Sequence, residues 1–213
     1  MSVTIIDLLR HGECEGGSIY RGSTDVPLTE MGWQQMEKSI EALKAAQGMS
    51  APEMPWDQIL SSPLQRCRTF SEELSARHAI PLRVDADFRE MDFGRWEGRK
   101  LDEVWASEPE AVKRFYSDPE QYSPPEGEPV LEVRKRLALA WEAMMDESKG
   151  KHLLLVQHGG TIRVLLTWLL QMPLSGIIQF NIPYAGVCRI KIVEDKKGRF
   201  FPSLVFLNGT DSE

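Results

Sequence analysis

Two histidines of this sequence stand in matching surroundings. Leu9-Arg10-His11-Gly12 closes the apolar run that starts at Val3, and Val156-Gln157-His158-Gly159-Gly160 closes the run that starts at His152. Two further stretches deliver charge in the same way: Leu60-Ser61-Ser62-Pro63-Leu64-Gln65-Arg66 and Phe88-Arg89-Glu90-Met91-Asp92-Phe93-Gly94. Ligands of open α/β sheets gather at the carboxyl ends of strands. A helix that begins there offers free N–H groups and a positive dipole end to an anion. Two imidazoles, two guanidiniums and a carboxylate at such ends suit phosphoryl transfer, which needs positioning, charge neutralisation, a nucleophile and an acid. Glu13 and Asp92 compete with Glu90 for the acid's place, but Glu13 lies close to His11 in sequence and is poorly placed to reach a leaving group.

The elements that must position these residues follow from periodicity. Strands are expected at Val3–Leu9, Gln58–Leu60, Leu82–Val84, His152–Gln157, Val187–Val193 and Leu204–Leu207. Thr29 reads as an N-cap before Trp33, Met36, Ile40 and Leu43, whose spacing is helical. Ser62 followed by Pro63 reads as an N-cap with proline at the first helical position, before the stripe Leu64, Cys67, Phe70 and Leu74. Val130, Val133, Leu137, Trp141 and Met144 form another stripe, and Gly159 opens a short apolar helix through Leu170. Strands alternating with helices indicate a layered α/β domain. The expectation is one domain over residues 1–213, with a small cap-like insertion around 95–129 that contains the loop Tyr-Ser-Pro-Pro-Glu-Gly-Glu-Pro.

Composition narrows the partners. The chain carries a formal net charge of −7 and no Lys/Arg run, which argues against nucleic acid or an anionic membrane as partner. Any cationic site has to be local, built against that overall field. No stretch reaches the roughly 18 apolar residues of a membrane span, and no signal-peptide pattern is present. Cys14, Cys67 and Cys188 are scattered, as suits reduced thiols in a cytoplasmic protein. No cluster has metal-ligand spacing, so neither a metal nor another cofactor is expected. The expected partner is a small phosphoester, with a homodimer left open.

These stretches resemble the histidine phosphatase superfamily, the phosphoglycerate mutase-like proteins. The resemblance rests on Arg-His-Gly-Glu at Arg10–Glu13, Gly-x-x-Asp-x-Pro-Leu-Thr-x-x-Gly at Gly22–Gly32 and Ser-x-Leu-x-Arg at Ser62–Arg66. It continues through Glu-x-x-Phe-Gly-x-Trp-Glu-Gly at Glu90–Gly98 and His-Gly at His158-Gly159. The five run in family order over about the first 170 residues. The short length and the Phe-Gly-x-Trp-Glu-Gly form look most like α-ribazole phosphatases.

The resemblance implies a three-layer α/β/α sandwich around a mostly parallel, mixed six-stranded sheet. It implies that His11 is the nucleophile that becomes phosphohistidine, that Arg10 and Arg66 clamp the phosphate, and that His158 donates to the transferring group. Glu90 would protonate the leaving oxygen and then activate water. Gly12, Arg21, Gly22, Thr24 and Gly159 would join the substrate site. Two positions depart from the family pattern: Cys14 and Gly17 stand where Thr and Asn are usual. The missing Asn removes one hydrogen bond to phosphate, and Cys14 is either an inert buried thiol or an oxidation-sensitive one. The activity implied is hydrolysis of a phosphomonoester, with α-ribazole phosphate as one substrate. The alternatives are a cofactor-dependent phosphoglycerate mutase and a catalytically weak phosphate-binding module.

Overall fold

The computed structural model describes residues 2–49 and 53–209. In chain order the elements are β1 (Ser2–Arg10), α1 (Glu30–Ala46), β2 (Gln58–Ser61), α2 (Gln65–His78) and β3 (Leu82–Val84). There follow α3 (Leu101–Ser107), α4 (Pro109–Ser117), α5 (Val130–Glu147), β4 (His152–Gln157), α6 (Gly159–Leu169), β5 (Val187–Glu194) and β6 (Phe200–Leu207). The six strands form one sheet in the order β3-β2-β4-β1-β5-β6. The first four are mutually parallel, and β5 and β6 run antiparallel to their neighbours. This is the mixed, mostly parallel sheet that the family resemblance implies.

Alternation along the strands divides the core into two layers, because successive side chains point to opposite faces. Ile6, Leu8, Leu60, Leu153 and Leu155 pack with Val133, Leu137 and Trp141 of α5 and Ile162 and Leu165 of α6. Leu9, Ile59, Leu154 and Val156 pack on the other side with Met36, Ile40 and Leu43 of α1 and Phe70 and Leu74 of α2. Each such aliphatic side chain contributes about 1.5–3 kcal/mol by leaving water. Trp96 lies fully buried within the first layer.

One charged residue interrupts β1 on its second face. Asp7 is fully buried, and an isolated carboxylate there would be very costly. Its oxygens accept from Arg189 at 2.7 and 3.0 Å, from the Trp56 indole at 2.9 Å, and pair with His152 Nε2 at 2.8 Å. Burial pushes the Asp7 carboxyl up, and the bonds from His152 and Arg189 outweigh it, so the group stays ionised. His152 therefore holds the sheet together and has no place in the site.

Two expected boundaries move by two residues or more. β6 begins at Phe200, four residues before the expected start, because Phe200–Ser203 ladder onto Lys191–Glu194. Pro202 is tolerated there because β6 is an edge strand. The second shift bears on the site. α2 starts at Gln65 rather than at Pro63; the Ser62 hydroxyl accepts from Leu64 N at 3.3 Å, just before the helix, and the Asp25 carboxylate accepts from Gln65 N at 2.7 Å. The Ser62 hydroxyl also pairs with His158, as described next.

Candidate active site

The sheet register brings the two histidines together. Arg10 of β1 is opposite Gln157 of the parallel β4, so the residue after each strand lands beside the other. His11 N continues the ladder by donating to Gln157 O at 3.0 Å. The two imidazole centroids lie 5.3 Å apart, close to the strand spacing itself. β2 neighbours β4 on its far side, and Ser62 N donates to Val156 O, which brings Ser62 to His158.

Each imidazole has its tautomer set by a neighbour. His11 Nδ1 lies 2.8 Å from Gly12 O, an oxygen that can only accept, so Nδ1 carries the proton. The Nε2 lone pair is then the reactive one. Cys14 Sγ lies 3.4 Å from the same nitrogen and donates to the same carbonyl. Burial pushes the Cys14 thiol up, which keeps it protonated and makes it a packing group beside His11. For His158, Arg66 Nε can only donate, so Nδ1 accepts at 3.2 Å and Nε2–H is given to Ser62 Oγ at 2.7 Å. Burial, reinforced by the Arg66 guanidinium, holds both histidines well below the usual imidazole range. Both are neutral, the form a nucleophilic imidazole needs.

His11 faces a cavity of about 330 Å³ lined by Arg10, Arg21, Glu90, Gly160, Arg163 and Tyr184 among others. Arg10 Nη1 donates to Ile182 O at 2.6 Å, and its guanidinium stacks 4.4 Å from the Tyr184 ring centre. Arg21 Nη2 donates to Glu15 O and Gly17 O at 2.7 and 2.8 Å. The Nε–H groups of both arginines are buried and find no partner among the described residues. Buried donors are ordinarily satisfied. Two unspent guanidinium donors at one cavity beside a neutral imidazole make a receptor for an oxyanion.

Glu90 sits at the start of α6. Its Oε1 accepts from Met91 N and Thr161 N, both at 3.0 Å, and its Oε2 from Gly160 N at 2.9 Å. The carboxyl is buried and held by these three N–H groups, two of which, Gly160 and Thr161, belong to the first turn of α6. Oε2, with one donor, is the oxygen with room for a proton. A Cβ on Gly160 would lie 2.7 Å from Oε1, so only glycine lets the carboxylate dock there. Asp92 is committed to Gly94 N, and Glu13 accepts from the Thr29 hydroxyl.

Of the remaining expected residues, Gly159 lines this cavity and the others surround it. Arg66 and His158 are fully buried behind it. Gly12 packs against the start of α1, where a Cβ would lie 2.1 Å from Gly32 O. Gly159 lines the cavity and leaves room for the Arg10 guanidinium, 3.1 Å from where its Cβ would be. Gly22 and Thr24 serve Arg66, whose Nη2 donates to Gly22 O at 2.8 Å and whose Nη1 donates to Thr24 O at 2.9 Å.

Glu97 organises that loop, a role its place in the sequence does not signal. Its carboxylate accepts from the backbone N–H groups of Gly22, Ser23, Thr24 and Phe93 and from the Thr24 hydroxyl. Arg163 and Tyr184 are further cavity residues absent from the sequence expectation. Arg163 follows Gly160 by three residues, a spacing that shares a helix face and signals its position. Tyr184 lies in an irregular segment with no such signal.

Comparison with known proteins decides the family. The model of the histidine phosphatase superfamily (branch 1) matches residues 6–200. The chain belongs to that superfamily. A protein from Mycobacterium tuberculosis, "Bifunctional protein Rv2228c", is 32% identical over 75% of this chain, which spans only 42% of that relative's length. The "Adenosylcobalamin/alpha-ribazole phosphatase" of Salmonella typhimurium is 28% identical over 88% of this chain and 90% of its own. A 2,3-bisphosphoglycerate-dependent phosphoglycerate mutase of Rhizobium etli is 29% identical over 92% of this chain and 93% of its own. In fold, the chain superimposes on a mycobacterial glucosyl-3-phosphoglycerate phosphatase with a TM-score of 0.81 at 24% identity, covering 97% and 99% of the two chains. No described helix is long and apolar enough to cross a membrane.

Proposed function

We propose that this superfamily member is a phosphomonoesterase working through a phosphohistidine on His11. The observation that carries this reading is the neutral His11, its Nε2 lone pair left reactive, in one cavity with the unspent Nε–H groups of Arg10 and Arg21. Those guanidiniums receive phosphoryl oxygens, and Arg66 adds its charge from behind. His11 Nε2 attacks phosphorus as the P–O bond breaks, and Glu90 Oε2 gives its proton to the departing alkoxide. Water then attacks the phosphohistidine, its proton passing to Glu90 while the P–N bond breaks. For His158 to serve the transferring group, its Nε2–H leaves Ser62 Oγ, the partner it holds in this structure. Arg21, whose guanidinium already binds Gly17 O, supplies a phosphate donor in place of the usual Asn.

Transfer to water rather than to phosphoglycerate is favoured by the 99–129 region. Its cationic side chains are engaged elsewhere: Arg99 pairs with Glu108, Lys100 with Glu103 and Lys113 with Glu110, and the Arg114 guanidinium lies 5.7 Å from the Tyr122 ring centre. None of the four lines the cavity, so none is placed for a second acid group. α-Ribazole 5′-phosphate, after the Salmonella relative, heads the substrates to test. The purified protein should release phosphate from phosphomonoesters with or without phosphoglycerate present. Transfer to phosphoglycerate outrunning release to water would establish the mutase reading, and phosphate binding without turnover of any ester would establish the binding module.

A further inference from the structure

A second chamber, of about 260 Å³, adjoins the phosphate cavity and shares Phe93, Tyr116, Gly160 and Arg163 with it. Its other walls are Met91, Phe115, Val130, Val164, Ile177 and Ile178. Arg163 is its one charged lining residue, and the guanidinium already gives its Nε–H to Phe180 O at 2.8 Å. Gly160, common to both spaces, donates to Glu90 Oε2. The oxygen that protonates a leaving group therefore sits at the junction of an anion site and an apolar chamber. Ile178, at 61% exposure one of the most exposed large apolar side chains described, also lines the chamber.

We infer that the substrate's leaving alcohol carries an apolar body, aromatic or branched aliphatic, which lodges in this chamber while its oxygen stays at Glu90. The inference rests on the phosphatase reading and adds the chemical class of the ester. A cavity of about 150 Å³ accepts benzene, so this chamber takes a larger ring system. A sugar or polyol there would leave hydroxyls without partners, each at roughly 5- to 150-fold in affinity. The rival outlet is a cleft of about 420 Å³ lined by Arg89, Glu90, Asp92, Glu126 and Glu128. It shares only Glu90 with the phosphate cavity, and its carboxylates repel an anionic ester.

The test compares primary alkyl phosphates of similar leaving-group chemistry. 2-Phenylethyl phosphate should exceed glycerol 3-phosphate in kcat/KM by at least about a hundredfold, since each methylene-sized apolar contact discriminates by roughly 10- to 200-fold. Ile178→Asp, at an exposed position that should not disturb folding, should cut that ratio about tenfold or more by placing a carboxylate at the chamber. Independently of any variant, 2-phenylethanol should inhibit competitively at concentrations where glycerol does not. Equal or better use of glycerol 3-phosphate would overturn the apolar class and leave the phosphatase reading standing. Turnover of neither ester, nor of any other phosphomonoester, would overturn both.

Discussion

Replacing Glu97 by glutamine separates the frame of the site from its chemistry. Glu97 touches no part of the cavity, yet its carboxylate gathers the N–H groups of Gly22, Ser23, Thr24 and Phe93. The carbonyls of Gly22 and Thr24 hold the Arg66 guanidinium, and Arg66 Nε in turn sets the tautomer of His158. Burial pushes the Glu97 carboxyl up, and the bonds from the Thr24 side chain and the loop N–H groups outweigh it, so the group is held low and ionised. Its stabilisation is therefore present above the unfolded value of about 4.3 and fades as pH falls through the lower folded value. A glutamine amide retains one acceptor oxygen but turns its NH₂ toward Thr24 N–H. One stranded N–H costs about 1–3 kcal/mol, and the remaining bonds lose their charge assistance. A loss of about 3 kcal/mol corresponds to a fall in Tm of roughly 6–12 °C for a chain of this size. A shift of Arg66 by about 1 Å should also lower kcat/KM on the order of a hundredfold. Thermal melting and steady-state assays on one phosphoester read both effects. A Glu97→Gln protein that melts within about 2 °C of the parent, with unaltered kcat/KM, would refute the chain from Glu97 through Arg66 to His158.

Two further predictions follow from the titrating groups. His11 and His158 are held neutral in the folded protein but take up protons below about pH 6.5 when unfolded, so stability should fall as pH drops below that value. The slope attributable to the pair is up to about 2.7 kcal/mol per pH unit, and His158→Asn should roughly halve it in urea unfolding between pH 5 and 7; a slope identical to the parent's would count against neutral burial. Glu90→Gln should slow hydrolysis of an alkyl phosphate by roughly 10²–10⁴-fold, with much less effect on p-nitrophenyl phosphate, whose leaving group departs without a proton. Equal losses on both esters would take the acid role from Glu90.

Much of the site is legible in the sequence because its residues follow strand ends. His11 and His158 each terminate an apolar run, and parallel pairing with Arg10 opposite Gln157 is enough to make them neighbours. Glu90 is legible as a candidate from its motif, but its docking on α6 is not. That contact joins residues 70 apart through Gly160, whose missing side chain carries no local signal. Ser62 shows the opposite failure. Ser-Pro before a helical stripe is sound capping chemistry, and the hydroxyl does accept from Leu64 N, yet it also serves the histidine of a strand paired with its own, and Asp25 from a distant loop receives the first helical N–H. Arg21 is legible through the family resemblance and Arg163 through its spacing from Gly160, but that the two share one space is shown by the folded cavity. β6 reads short in sequence because Phe200 and Phe201 are exposed on an edge strand, without the inward alternation that marks a half-buried one.

The most direct test of the account is to look for phosphate on His11. The protein mixed with a phosphomonoester and quenched within a turnover should show an acid-labile adduct with the mass of one phosphoryl group, mapped to the peptide that contains His11. His11→Ala should show neither the adduct nor phosphate release above background. An adduct on another residue, or turnover at the parent's rate in His11→Ala, would contradict the assignment of His11 as nucleophile.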